Sequence, residues 1–265
     1  MCHYLYKAGW LYVTKGVRTL KGETNLKIQV SLFGDYSHIT PTEEIIKDCI
    51  SAFFQLGMLP SGNVQEMDPN TNRLEPRLSL QSMRNGISVN FLSNRIDFLV
   101  MPLPNSPGAS LNAESFCVQV NQIATSLKKV LGVTFNRVGF AAERFLAPIT
   151  PEKLETLRKK FTTEAFTIFP DKPVVEWNIR NVVLDRFDKN VDQDVNVIYN
   201  ISKVKVQLGD HTGLREFDTL HLTTDINIPL EKRVNPSLDV LSDFLEQSIA
   251  RDKAIYNGLT AVTYA

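Results

Sequence analysis

Arg77-Leu78-Ser79-Leu80-Gln81-Ser82-Met83-Arg84-Asn85-Gly86-Ile87-Ser88-Val89-Asn90-Phe91-Leu92 reads as two strands joined at Asn85-Gly86. Both turn residues tolerate positive φ, which a two-residue hairpin requires. Residues 96–101 supply a third strand directly after the hairpin, before Pro102, Pro104 and Pro107. Three successive strands argue for antiparallel sheet, because parallel neighbours need a long crossover between them.

Working outward, residues 60–76 carry Pro60, Gly62, Pro69, Asn70, Asn72 and Pro76 and read as a polar loop. Before it, Thr40-Pro41 starts a helix, with Glu43 completing a capping box. Ile45, Ile46, Cys49, Ile50, Phe53 and Phe54 form its apolar stripe, and Gly57 stops it. Leu26, Ile28, Val30 and Leu32 alternate with polar residues, as in a strand with one buried face. After the hairpin, Phe116, Val120, Ile123, Leu127, Val130 and Leu131 mark a helix ending at Gly132.

The same order then recurs. A strand at 134–146 precedes a helix started by Thr150-Pro151-Glu152, with Leu154, Leu157 and Phe161 inward. Strands are expected at 174–187, 195–208 and 217–228, and a last helix starts at Asn235-Pro236. The reading is α+β: two successive strand-helix-three-strand-helix units, with mostly antiparallel sheets and helices packed on one face. The halves are 1–132 and 133–265, as two domains or one continuous domain. The repeat is one of pattern, without identity between the halves.

The chain of 265 residues balances 29 basic against 29 acidic residues. That removes a whole-chain electrostatic case for nucleic acid or an anionic membrane. No apolar run approaches the roughly 20 residues needed to span a bilayer. Cys2, Cys49 and Cys117 are odd in number and widely spaced, which is neither a disulfide framework nor a zinc pattern. With no signal-peptide layout at the start, a cytoplasmic location is expected.

Candidate chemistry is sparse. Asp188, Asn190, Asp192 and Asp194 alternate like the start of a calcium loop, with Asp185 nearby. Gln193 stands where the turn wants Gly, and Tyr199 where a bidentate Glu belongs, so a solvated turn is the competing reading. Asp188, Asp192 and Asp194 are the metal candidates. His221 and Asp225 share one face of a strand, with Asp218 just before them, and could form half of a general base. Glu176-Trp177-Asn178 after Phe169-Pro170-Asp171 lacks the spacing and the Lys of a metal nuclease core. Lys153, Arg158, Lys159 and Lys160 make a basic run on one helix, either a solvated face or a phosphate contact. Trp10 and Tyr12 are candidate anchors for a partner, or parts of the core. No glycine-rich phosphate loop, GxSxG or HExxH is present, so no cofactor is assigned.

Gly86-Ile87-Ser88-Val89-Asn90-Phe91, Asn136-Arg137-Val138-Gly139-Phe140 with Glu143-Arg144-Phe145, and a final helix through Ala254-Ile255-Tyr256-Asn257-Gly258-Leu259-Thr260 occur in that order. They resemble a sporadically distributed bacterial α+β protein family of uncharacterised function. The opening, residues 4–24, departs from it. The family has no established catalytic residues, so the resemblance places none here. Its patchy distribution implies a link to defence or mobile elements.

Three functional readings follow. The first is a non-catalytic interaction or accessory subunit of a larger bacterial assembly, through a protein partner or homo-oligomer, with nucleic acid not favoured. The second is a small-molecule or nucleotide sensor with a pocket between the halves. The third is a metal-dependent hydrolase or nuclease using Asp185, Asp188, Asp192, Asp194 and His221.

Overall fold

The computed structural model describes residues 5–7, 10–14, 24–68, 71–82, 84–102, 111–162, 174–210, 213–235 and 237–265. Its strands are β1 (Leu5–Lys7), β2 (Trp10–Thr14), β3 (Thr24–Phe33), β4 (Met58–Met67), β5 (Leu74–Ser82), β6 (Ile87–Phe91), β7 (Arg95–Val100), β8 (Arg137–Phe145), β9 (Asn178–Phe187), β10 (Gln193–Asp210) and β11 (Gly213–Asn227). The helices are α1 (Glu43–Phe53), α2 (Ala113–Leu131), α3 (Pro151–Phe161) and α4 (Leu238–Tyr264).

The α+β class holds, but the strands form one sheet rather than one per half. Its order is β1-β2-β10-β11-β8-β3-β7-β6-β5-β4, and β9 also pairs with β10. Strands β9 and β2 share an edge of the long β10: β9 runs antiparallel along Gln193–Ser202, and β2 parallel along Lys205–Gly209. The halves join where β3 pairs antiparallel with β8, from Thr24↔Phe145 to Phe33↔Arg137. An unpaired edge on either half would leave backbone donors and acceptors exposed; pairing them satisfies both.

Burial drives that junction. Phe98, Val30, Phe140 and Ile226 lie side by side across β7, β3, β8 and β11. All four are at most 1% exposed. Each such side chain contributes about 1.5–3 kcal/mol of burial. They belong to the main core, which draws on α1, α2 and α4 and on strands of both halves. A second cluster packs Leu154 and Leu157 of α3 against Leu220 and Leu222 of β11.

The first half departs from the expected strand-helix-three-strand-helix order, because four strands separate α1 from α2. Residues 58–67 form β4, not a loop. Pro60 is tolerated because β4 pairs only with β5 among the described residues. Pro76 lies in the part of β5 that extends beyond β6, so its missing N–H leaves no gap there.

Helix α1 starts two residues later than the Thr40-Pro41 reading. Thr42 is the N-cap, and its hydroxyl accepts from Ile45 N at 3.4 Å. Helix α4 is capped by Ser237 rather than Asn235. Thr150 caps α3 with Pro151 in the first turn, and Gly57 and Gly132 take left-handed φ of 70° and 63°, as read. No helix among the described residues is long and apolar enough to cross a membrane.

Candidate functional site

Alternation along β3 sends Ile28, Val30 and Leu32 into the core and leaves Lys27, Gln29, Ser31 and Phe33 on the other face. On β8, Val138, Phe140 and Ala142 turn inward, and Arg137, Gly139, Ala141 and Glu143 turn outward. The outward residues of the two strands face each other in register: Lys27 and Glu143, Gln29 and Ala141, Ser31 and Gly139, Phe33 and Arg137. Gly139 and Ala141 carry almost no side chain, so the sheet is lowest here. The result is a trough of about 420 Å³, walled by Arg95 of β7 and by Thr223, Asp225 and Asn227 of β11.

Its polar groups are ordered by one another. Gln29 Nε2 donates to Ser31 Oγ at 3.1 Å, and Ser31 Oγ to Asp97 Oδ1 at 2.6 Å. Arg95 Nε donates to the other oxygen of Asp97 at 3.0 Å. Asn196 Nδ2 donates to Asn227 Oδ1 at 3.3 Å, and Asn227 Nδ2 to Asp225 Oδ1 at 2.9 Å. Arg137 Nε donates to the Ile228 carbonyl at 3.1 Å, and its guanidinium lies 4.5 Å from the centre of the Phe33 ring. Burial lowers the Arg137 pKa from its ordinary value, and the charge of Glu231 opposes that shift.

His221 does not pair with Asp225 or Asp218, as the sequence suggested. Its Nε2 lies 2.9 Å from Oε1 of Glu143 on the neighbouring strand. That hydrogen bond, with the charges of His221 and Lys27, holds the Glu143 carboxyl below its ordinary range despite burial. The pair stands at one end of the trough and Arg95 and Arg137 at the other. Among the described residues no serine or cysteine is hydrogen-bonded to His221.

The metal reading does not find a centre. Asp188 sits in the turn between β9 and β10, with its side chain exposed. Asp192 and Asp194 lie 2.6 and 3.6 Å from Arg186, and Asp185 pairs with Arg251. Each carboxylate except that of Asp188 thus has a cation beside it. Among the described residues no group of three or more His, Cys, Asp or Glu is placed to hold a metal. Lys159 and Lys160 are exposed at the end of α3, where cations oppose the helix dipole. Arg158 is engaged by Glu155 at 2.5 Å. Trp10 and Tyr12 lie on β2 opposite Lys205 and Gln207; their side chains are outside the described residues, as are Phe169, Pro170, Asp171 and His211. Trp177 packs in the core near Phe161.

A second depression, of about 410 Å³, lies on the helix side between the start of α2 and α4. Its charged groups are already matched, Arg144 with Asp252 and Lys253 with Glu114. In the trough Arg95 and Glu143 are likewise paired, but Arg137 and Asp225 form no ion pair among the described residues, which makes the trough the better candidate.

The sequence reading missed Lys27, Gln29, Arg95 and Arg137. A signal was present: apart from Phe33, the outward positions of β3 and β8 from Lys27 to Phe33 and from Arg137 to Glu143 are polar, Gly or Ala. No family model, curated protein or solved structure matches the chain. The bacterial family resemblance therefore rests on its own short segments.

Proposed function

We propose that this protein is a non-catalytic sensor that binds a small polar molecule in the trough where its two halves meet. One observation carries the reading: the trough is floored by one strand from each half, β3 and β8. Its volume falls in the usual range for ligand sites, which favour such junctions. The halves correspond around it. Strands β3 and β8 each precede a helix, pair with each other, and have β7 and β11, each the last strand before α2 or α4, on their far sides. We read this as duplication of one unit, with an extra strand, β4, in the first copy. Free Cys49 and Cys117 suit a reducing cytoplasm.

Thermal-shift screening against a broad metabolite panel tests the reading. A ligand at 100 times its dissociation constant adds about 2.7 kcal/mol of stability. The expected ligand loses its effect in Ala141→Trp, which fills the trough floor. A stabilising ligand that Ala141→Trp leaves untouched would place binding elsewhere.

A second observation favours the accessory-subunit reading. Strand β9 pairs only with β10 among the described residues. Val182, Val183 and Leu184 on it are 53%, 47% and 65% exposed. An extended segment of a partner protein could add to that edge, with backbone hydrogen bonds giving affinity. Mass spectrometry of material co-purified from the native host should recover a stoichiometric protein, and Val182→Glu with Leu184→Glu should release it. Retention of the partner by the double variant would exclude β9 as the contact.

A further inference from the structure

Phe33 has Arg95 on one side, across β7, and Arg137 on the other, across β8, and all three line the same trough. Each guanidinium is anchored through Nε alone, Arg95 to Asp97 and Arg137 to the Ile228 carbonyl. The terminal nitrogens of both have no hydrogen-bond partner among the described residues. Glu231 acts on Arg137 through its charge without forming an ion pair. Two pre-positioned guanidinium forks on either side of one ring match the oxygens of a phosphate, which accepts paired N–H donors.

The rest of the trough asks for a different chemistry. Asp225 and Glu143 are carboxylates that would repel a second anion and accept hydrogen bonds from donors. Gln29 and Asn227 offer amide groups beside them. From Arg137 to Ala141, which stands opposite Asp225, is four residues of strand, or about 13 Å. That span is too long for an α-amino acid, whose carboxylate and ammonium sit on one carbon.

We propose that the trough holds a phosphorylated sugar, free or as part of a nucleotide, with its phosphate on Arg95 and Arg137 and its hydroxyls on Gln29, Asp225 and Asn227. The proposal rests on the reading of the trough as a ligand site and names the ligand class.

Titration calorimetry on the full chain tests it, with ribose 5-phosphate, AMP, ribose and inorganic phosphate as separate titrants. Ribose 5-phosphate should bind, and its affinity should fall about tenfold or more in Arg95→Gln and in Arg137→Lys. Ribose and phosphate should each bind far more weakly. AMP binding as tightly as ribose 5-phosphate assigns the nucleotide as the source; weaker AMP binding assigns the free sugar phosphate. No binding of ribose 5-phosphate, equal affinity for phosphate alone, or unchanged affinity in both variants overturns the proposal. Ala141→Trp separates this failure from failure of the broader reading. If some other compound binds the native chain and is lost in Ala141→Trp, the trough remains a ligand site and only the sugar phosphate is wrong. If no compound shows that loss, both fall.

Discussion

Phe33 of β3 and Arg137 of β8 stand opposite each other at the seam of the two halves, with the guanidinium 4.5 Å from the ring centre. A cation over an aromatic face at a partly exposed site is worth about 0.5–1 kcal/mol. Phe33→Leu keeps an apolar side chain but removes the ring's electron-rich face. Urea denaturation should show a loss of about that size, with the m-value unchanged. In an Arg137→Met background the same substitution should cost less. Equal costs in the two backgrounds would show that the stacking contributes nothing.

Arg144 and Asp252 form an ion pair that is 6% and 3% exposed, joining β8 to α4. The Arg144 guanidinium also lies 5.3 Å from the Tyr256 ring centre. Removing one member strands a buried charge, at a cost of about 3–5 kcal/mol, whereas replacing both can be near neutral. Asp252→Ala should therefore destabilise strongly, and Arg144→Met with Asp252→Leu should recover most of the loss. Additive costs in that double-mutant cycle would contradict this account.

Tyr36 donates its hydroxyl to the Thr134 carbonyl at 2.7 Å, tying the loop after β3 to the segment before β8. A Cβ on Gly34 would lie 2.7 Å from the Tyr36 hydroxyl and 2.8 Å from the Thr134 oxygen. Gly34→Ala must push the two apart, and crowding of this kind costs about 1–3 kcal/mol. Tyr36→Phe removes the same bond, so the two substitutions together should cost less than their sum. Thermal melts of the three variants measure this.

Glu143 should carry a pH-dependent share of stability. Its carboxyl is held below the ordinary range by His221 and Lys27, so on acidification the unfolded chain takes up the proton first. The contribution is complete above the ordinary glutamate range and is lost as pH falls below it toward the folded value. Native protein should be more stable than Glu143→Gln at neutral pH, and the gap should shrink as pH falls below the ordinary glutamate range. A gap of constant size in urea melts across that range would refute the assignment.

Burial pushes the Cys49 thiol up to about 11 and that of Cys117 to about 12. Reaction needs the thiolate and access, and both are withheld. Iodoacetamide at mildly alkaline pH should leave Cys49 and Cys117 unmodified on peptide mapping until the protein is unfolded. Modification of either in the native protein at the rate of a free thiol would contradict its burial.

The sequence by itself determined what depends on a few neighbouring residues. Gly86, at a φ of 71°, marked the connection between β5 and β6, but Asn85 does not share that positive φ, and with β5 ending at Ser82 and β6 starting at Ile87 the connection is longer than the two-residue turn expected. Thr150-Pro151 set the start of α3, and Gly57 and Gly132 the ends of their helical segments, because capping and positive φ are local properties. It also determined the α+β class, through strand and helix periodicity. Tertiary structure decided the rest. Pro60 and Pro76 argued locally for a loop, yet they sit in strands because the edges they face need no donor. Pairing of β3 with β8, more than a hundred residues apart, merged two expected sheets into one. That same pairing gave His221 its partner Glu143 and placed Arg95 and Arg137 around Phe33. Register between distant strands is fixed by the shared burial of Val30, Phe98, Phe140 and Ile226, and no local pattern encodes which polar residues that burial brings together on the opposite face.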